Sequence, residues 1–382
     1  MHIGLFNDSF PPMIDGVAQT VKNYARVLAQ RDGCQVTVVT PAYKGVRDEY
    51  PFEVYRYWSV NTEKMLGYRM GYPYAARMRR DLKAKHFDLI HIHSPFISSL
   101  LVHHINKSPR VPVILTYHTK FEVDIYKRAP FGFAGTTLAM MKRNLKGADE
   151  VWAVTEGCIQ SLRNVGYKGD CRVMENGTDF AYGKADADAV AALRAQFQIP
   201  DDAFVLLYVG RMMWYKNIQL ILDMLKIARG RGLPFRALMV GPGMDEPEIR
   251  AYAQQQGLSD CVTFPGAVYD REALRVYYSM ADMFLFPSTY DTSGIVVKEA
   301  AACDCPSLLV RGSCAAEGVE DGVTGFLAEE NPEDCARALL GACGDKESLR
   351  AAGAQAGQKI YLSWDDAVDK AYKRYEEILK GR

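Results

Sequence analysis

Two acids, Asp291 and Glu299, bracket a short polar and β-branched run in PSTYDTSGIVVKEA, residues 287 to 300. The apolar ADMFLFP before it reads as a buried strand, and IVVKEAAA after Gly294 reads as a helix. Ser293, Gly294 and Ile295 then fall at the amino end of that helix, where N–H groups without intrahelical acceptors and the positive end of the dipole stabilise an anion. Gly294 lets a ligand come close to the backbone. A carboxylate does not face a phosphate, so Asp291 and Glu299 are read as acceptors of sugar O–H groups, which an acid can take two at a time. Without a ligand the two reduce to a capping acid and a solvated helix face.

A second constellation follows the apolar strand in LLYVGRMMWYKNIQLILDML. Arg211 offers a planar fork for two phosphate oxygens and Lys216 a mobile point charge, so the pair at the carboxyl end of a strand suits a diphosphate. In LIHIHSP, His91 and His93 are expected to alternate to opposite sheet faces, which would not hold one metal between them; His93, beside Ser94 and Pro95 at the strand's end, is the candidate for contact with an acceptor. His103 and His104 lie in a helical stretch as structural or exposed residues. Asp186 and Asp188 form an Asp-x-Asp, but they follow no strand and precede AALRAQF, so they read as acids at a helix start rather than as a metal pair.

Positioning these residues requires strands and helices in alternation. MHIGLF, CQVTVVT, FDLIHIH, PVILTYH, EVWAVT and CRVMEN are short apolar runs separated by stretches of helical spacing such as AQTVKNYARVLAQR. After a polar, alanine-rich interval the pattern restarts with AFVLLYVG, FRALMVG, CVTFPG, MFLFPS, PSLLV and GFLA. The reading is α/β, two doubly wound domains of parallel sheet facing a cleft where strand carboxyl ends and helix amino ends converge. A chain of 382 residues exceeds what a single core supports. Its 46 Lys and Arg balance 46 Asp and Glu, so no overall field recruits nucleic acid. The nine cysteines fit neither a disulfide framework nor a zinc pattern and read as reduced hydrophobes. No leader and no membrane-length apolar stretch is visible, so the expectation is a cytoplasmic protein.

Taken in order, SFPPMIDGVAQTV, HIHSP, TYHT, ENGTDF, VGRMMWYKN, VGPGMDEPEI, VTFPGAV, YYSMADMFLFPS and DGVTGFLAE span nearly the whole chain. Together they resemble the family 4 retaining glycosyltransferases of GT-B architecture, in which an acid, seven residues and a Glu follow a Pro-Ser strand end. The resemblance implies two Rossmann-like domains facing a central cleft: an acceptor-side domain over residues 1–180, a nucleotide-sugar donor domain over 181–362, and a last helix over 363–382 packing back toward the first. It places Gly16 where a backbone approaches the diphosphate and His118 near the donor sugar and reacting centre. Arg211 and Lys216 match the diphosphate cations, Asp291 the acid on sugar hydroxyls, Ser293, Gly294 and Ile295 the phosphate amides, Glu299 the ribose acid, and Val268 the frame of the nucleobase. His93 and Glu122 fall on the acceptor side. This chain departs from the pattern with Asp at 291 for the usual Glu and Ser293 for a common Phe, and the shorter acid changes reach by about one methylene.

The implied reaction transfers a hexosyl group with retention from a nucleoside diphosphate sugar such as UDP-glucose, with cations and helix-end amides in place of a metal and no other cofactor. YHTKFEVDIY and KRAPFGFAGTTLAMMKRNLK resemble the acceptor region of bacterial diacylglycerol glucosyltransferases, which work at the membrane without spanning it. Residues 62 to 86 hold seven Lys or Arg against two acids, with Tyr and Met between, and could lie on an anionic bilayer at the inner face of the cell membrane or form an ordinary solvated face. A membrane lipid is therefore the expected acceptor and a soluble sugar or polyol the alternative. A sugar-nucleotide epimerase or hydrolase shares the architecture, as would a non-catalytic nucleotide-sugar sensor. A dehydrogenase is disfavoured, because the Gly-x-Gly of VGPGMDEPEI lacks a third glycine and a suitably spaced acid.

Overall fold

The structure, a computed structural model, describes residues 1–13, 15–63, 68–120 and 134–381, without the side chain of Ala134. The chain divides into two compact units, Met1–Asn176 with Trp364–Arg382, and Gly177–Ser363.

In the first unit the strands are β1 (His2–Phe6), β2 (Gln35–Pro41), β3 (Glu53–Tyr57), β4 (Ser59–Val60), β5 (Met70–Gly71), β6 (Leu89–Ile92), β7 (Val113–Tyr117), β8 (Glu150–Ala153) and β9 (Cys171–Val173). Seven form a parallel sheet in the order β3-β2-β1-β6-β7-β8-β9, and β4 pairs antiparallel with β5. β6 and β7 are buried at every residue, as strands covered by helices on both faces must be. The crossover from β1 to β2 is the helix Gly16–Ala29, started by Asp15, whose Oδ1 accepts the Ala18 N–H at 2.8 Å. The helix Trp364–Lys380 packs against it. That last helix is tied to the sheet by Arg374, 2.6 Å from Glu150, and by Tyr375, which stacks on Trp152 at 5.6 Å and meets His91 Nδ1 at 2.6 Å.

His91 and His93 share one face: their ring centroids are 4.0 Å apart. This corrects the expectation of opposite faces, because side chains one apart alternate across a strand whereas those two apart return to the same side. His91 is structural, with Thr116 Oγ1 2.6 Å from its Nε2.

The second unit holds β10 (Phe204–Val209), β11 (Phe235–Val240), β12 (Val262–Gly266), β13 (Met283–Phe286), β14 (Ser307–Val310) and β15 (Phe326–Ala328). They form a parallel sheet ordered β12-β11-β10-β13-β14-β15. β10, β13 and β14 are wholly buried at the centre of an extensive apolar core. The direction of chain progression reverses between β10 and β13, so the loops leaving their carboxyl ends diverge and leave room for a ligand there. In the first sheet the same reversal falls between β1 and β6. Asp186 caps the helix Ala187–Gln196 by accepting from Asp188 N at 3.0 Å and Ala189 N at 3.1 Å, the helix-start role its sequence context indicates. His103 and His104 lie in the helix Ile97–Ile105.

Candidate functional site

The loops after β10 and β13 carry Arg211, Lys216, Asp291, Ser293 and Gly294. After β10 the chain passes through Arg211 and a short 3-10 turn, Trp214–Lys216, into the helix Ile218–Gly230. Asn217 turns the chain with φ +58°, and its Nδ2 donates to Pro287 O at 3.0 Å and Glu330 Oε1 at 2.6 Å, which staples this loop to the end of β13. The adjoining Gly-Pro-Gly loop packs backbone to backbone: a Cβ on Gly243 would lie 2.0 Å from Met212 O. The glycines that suggest a dinucleotide loop therefore shape the bed on which the Arg211 loop rests. Met212 N donates to Pro242 O at 2.8 Å and Asp245 Oδ2 accepts the Trp214 N–H at 2.9 Å, which fixes that bed further.

Lys216 is 8% exposed, and its Nζ lies 2.5 Å from Asp291 Oδ1. Ser288 Oγ donates to Asp291 Oδ2 at 2.5 Å. The sequence assigns these two charges to different parts of a ligand; the structure brings them together. Arg211 is exposed, with its guanidinium carbon 6.0 Å from the Tyr215 ring centroid. Gly294 precedes the helix Ile295–Ala302 at φ +52°, and an added Cβ would meet Ala315 Cα at 3.0 Å, so both the backbone angle and the space call for glycine. Ser293 and Ile295 are half-buried beside it. At that helix start the Val297 and Lys298 amides donate to Gly294 O at 2.8 and 3.4 Å, and an amino end of this kind carries the positive end of the helix dipole.

Glu299, one turn further on, is not a solvated helix residue: it is 5% exposed. Its Oε1 accepts from Arg271 Nη2 at 2.6 Å and its Oε2 from Tyr278 OH at 2.9 Å. Burial pushes its carboxyl above the usual range, and the Arg271 charge and these hydrogen bonds pull it back. Val268 is half-buried between β12 and the helix Arg271–Met280, packed on the core. Arg271, Tyr278 and Ser288 escape sequence reasoning because nothing local marks them; only the partners across the fold do.

In the first unit, Gly16 opens its helix on an exposed face, with nothing within 4 Å of where a Cβ would stand. His118, just past β7, has its Nε2 2.9 Å from His93 Nδ1, and the two rings stack at 5.2 Å. Both are buried. Desolvation lowers His118 to about 3 and holds His93 well below the ordinary imidazole value, with His91 and His118 adding repulsion, so the pair is neutral near pH 7. The loop after His93 is held by Asp8, another residue without a local signal. Asp8 accepts from Ser94 Oγ, from Ser98 Oγ at 2.6 Å, and from the Ile97 and Ser98 amides at 3.1 and 2.8 Å, and so caps the helix Ile97–Ile105. Glu122 lies outside the described residues. Among the described residues no three His, Cys, Asp or Glu side chains group as metal ligands, and no helix is long and apolar enough to cross a membrane.

Residues 14–182 match Glycosyltransferase Family 4, and residues 190–359 match Glycosyl transferases group 1. An alpha-monoglucosyldiacylglycerol synthase of Acholeplasma laidlawii is 25% identical over 346 residues, 87% of this chain and 86% of its own. Among solved structures, sucrose-phosphate synthase from Thermosynechococcus elongatus superposes with a TM-score of 0.79 at 24% identity, covering 100% of both chains. Anabaena HepE in complex with UDP-glucose superposes at 0.75 with 20% identity, again over 100% of both. These two likenesses are of fold.

Proposed function

Because the chain belongs to the GT-B glycosyltransferases, family 4 in its first half and group 1 in its second, we propose that it moves a hexosyl group, with retention, from a nucleoside diphosphate sugar such as UDP-glucose to a membrane lipid such as diacylglycerol. One observation carries the donor assignment: Arg211, Lys216, the Gly294 helix end and Asp291 all leave the carboxyl ends of β10 and β13, where the sheet order reverses. The diphosphate takes the helix-end amides and the two cations, and Glu299 takes ribose hydroxyls. Asp291 takes sugar hydroxyls, and Val268 frames the base. As the glycosidic bond breaks, charge grows on the β-phosphate, where fixed cations and amides stabilise it without reorganising. No metal and no further cofactor is needed in this scheme. The leaving phosphate takes the acceptor proton, which requires no protein nucleophile on the far face of the sugar.

His118 is assigned to the donor sugar and reacting centre, Gly16 to the approach of the backbone to the diphosphate, and His93 to the acceptor; a neutral imidazole pair donates and accepts hydrogen bonds without repelling a cation-like sugar. A lipid acceptor is supported by the Acholeplasma relative, whose name is that of a glucosyldiacylglycerol synthase. A peripheral site of action on an anionic membrane surface is supported by the first unit. There Trp58, Val60, Met70, Tyr72 and Tyr74 are all exposed, next to Arg77, Arg80 and Lys83 on the helix Ala76–Lys83. The test is mass spectrometry of products from UDP-, GDP- and ADP-hexoses offered with diacylglycerol vesicles, free sugars and polyols. A glucosyl lipid with retained anomeric configuration is expected. Product on a free sugar only would move the acceptor to the soluble class, and free hexose or an epimer without acceptor would replace transfer by hydrolysis or epimerisation.

A further inference from the structure

We propose that Arg271, acting through Glu299, is the positioning residue that lets the second unit bind the vicinal diol of a nucleotide's ribose. The inference rests on the reading of Glu299 as the ribose acceptor. Arg271 is the first residue of the helix Arg271–Met280, and Tyr278 lies seven positions on, two turns along the same face. Each gives one hydrogen bond to a different oxygen of Glu299, at 2.6 and 2.9 Å. A carboxylate has about four acceptor positions. The helix thus uses one per oxygen, fixes the plane of the group, and leaves one per oxygen for two adjacent hydroxyls.

Arg271 also supplies the charge. The Glu299 side chain is 7% exposed, whereas that of Arg271 is 40% exposed, so the guanidinium bridges the interior and the surface. Its Nε and Nη2 edge pairs with Asp179, by Nε at 3.1 Å and by the same Nη2 that meets Glu299, and its plane lies 4.3 Å over the Phe180 ring. Phe180 beneath its plane holds the fork in one orientation, which a lysine could match only in charge, while Asp179 shares Nη2 with Glu299. The groups facing Glu299 are Arg271 and Tyr278 from the neighbouring helix, Asp179 beyond the guanidinium, and Cys303 at the end of its own helix. Burial raises Tyr278 well above its ordinary value and Cys303 to about 11, so neither loses a proton between pH 6 and 9. Burial alone favours a protonated Glu299, which would exchange an acceptor position for an O–H donor; Arg271 opposes this.

The test is calorimetric binding of the tightest ligand among UDP, ADP and GDP, and of its 2′-deoxy counterpart, between pH 6 and 9. The protein should prefer the ribonucleotide at every pH. Arg271→Met should lose about tenfold to a hundredfold in ribonucleotide affinity near pH 6. Sign matters here: the loss should shrink as pH rises, because Glu299 without its cation ionises only at higher pH, and a purely structural defect would not recover. Arg271→Lys should restore part of the preference at pH 7, and Asp179→Asn, which leaves the Arg271–Glu299 contact intact, should keep the preference even if Arg271→Met fails to fold. Ribonucleotide preference in Arg271→Met equal to the unmodified protein at all pH values overturns the proposal, as does an Asp179→Asn protein that folds and has lost it. Glu299→Gln separates the two layers. If Glu299→Gln binds like the unmodified protein, the ribose reading of Glu299 fails and takes the inference with it; if it weakens binding while Arg271→Met does not, the inference alone fails.

Discussion

In the proposed scheme Lys216 serves two anions that cannot both hold it at full strength. Without donor its ammonium pairs with Asp291 at 2.5 Å; with donor it is assigned to the diphosphate. On that proposal Asp291 competes with the leaving group for the cation while it holds the sugar. Asp291→Asn should bind bare UDP severalfold more tightly, because a carboxylate no longer draws Lys216 away, yet should transfer hexose more slowly for want of its hydroxyl acceptor. Calorimetry against initial rates separates the two effects, and weaker UDP binding in Asp291→Asn would show that the pair does not compete. Lys216→Ala should lower turnover by about 3 kcal/mol of transition-state stabilisation, roughly a hundredfold, as removal of one oxyanion donor does. The cost to stability should be about 1 kcal/mol by urea titration, since Asp291 is a quarter exposed and keeps its bond from Ser288. Arg211, Lys216 and Gly294 are legible in the sequence because a strand, a loop and a helix start follow one another locally. Ser288 and Arg271 are not, because their meaning comes from residues reached through space.

Among the elements, the carboxyl ends of β6 and β7 make a pH-sensitive core. His91, His93 and His118 are buried, and desolvation lowers all three, His118 to about 3. The unfolded chain takes up these protons near pH 6.5 while the folded chain resists, so the stabilisation is full above about pH 6.5 and is lost as pH falls toward 3. Each histidine costs up to about 1.4 kcal/mol per pH unit in that window. Urea unfolding at pH 7.5 and 5.5 should show the decline, and His118→Gln should flatten it; an unchanged slope would mean that the ring is protonated or solvated in the folded protein. The segment from β4 to the helix Ala76–Lys83 carries a separate expectation. Trp58 is 63% exposed and makes an edge contact with Tyr72 at 5.6 Å, which meets Tyr74 in turn at 5.6 Å. Vesicles with anionic lipid should retain the protein and zwitterionic ones should not. Trp58→Ala should weaken retention at all salt concentrations, whereas Arg80→Glu with Lys83→Glu should weaken it mainly at low salt. Equal retention on both vesicle types would remove the anionic surface from the list of partners. Lys64, in the same basic run, lies outside the described residues.

For the whole molecule, the proposed chemistry uses fixed cations and amides, so transfer should continue in excess chelator. It should decline modestly as salt screens the exposed Arg211 from the incoming donor. If chelation abolishes transfer, magnesium or manganese restores it, and Asp186→Ala with Asp188→Ala blocks that rescue, the phosphate site has been placed among the wrong residues. The observed Asp186 cap on the Ala187 helix makes this outcome a sharp one, because the double substitution should otherwise cost only a capping bond, about 1 kcal/mol of stability.

By itself the sequence determined the α/β class, the two parallel sheets and the loops that bear Arg211, Lys216 and Gly294. Apolar runs of strand length, helical spacing between them and glycine at a strained turn are all local, and they act on the residues next to them. Only the tertiary structure decided which charge meets which. Lys216 reaches Asp291 across 75 residues, Arg271 reaches Glu299 across 28, and His91 reaches Tyr375 across 284. Those distances close only once the strand order β11-β10-β13-β14 and the return of the Trp364 helix to the first unit are set. The same holds for the error over His91 and His93, whose shared face follows from strand period but whose partners, His118 and Tyr375, come from another strand and from the chain's last helix. A side chain's neighbours are chosen by sheet order and burial, and neither is written in the spacing of the residues that carry the chemistry.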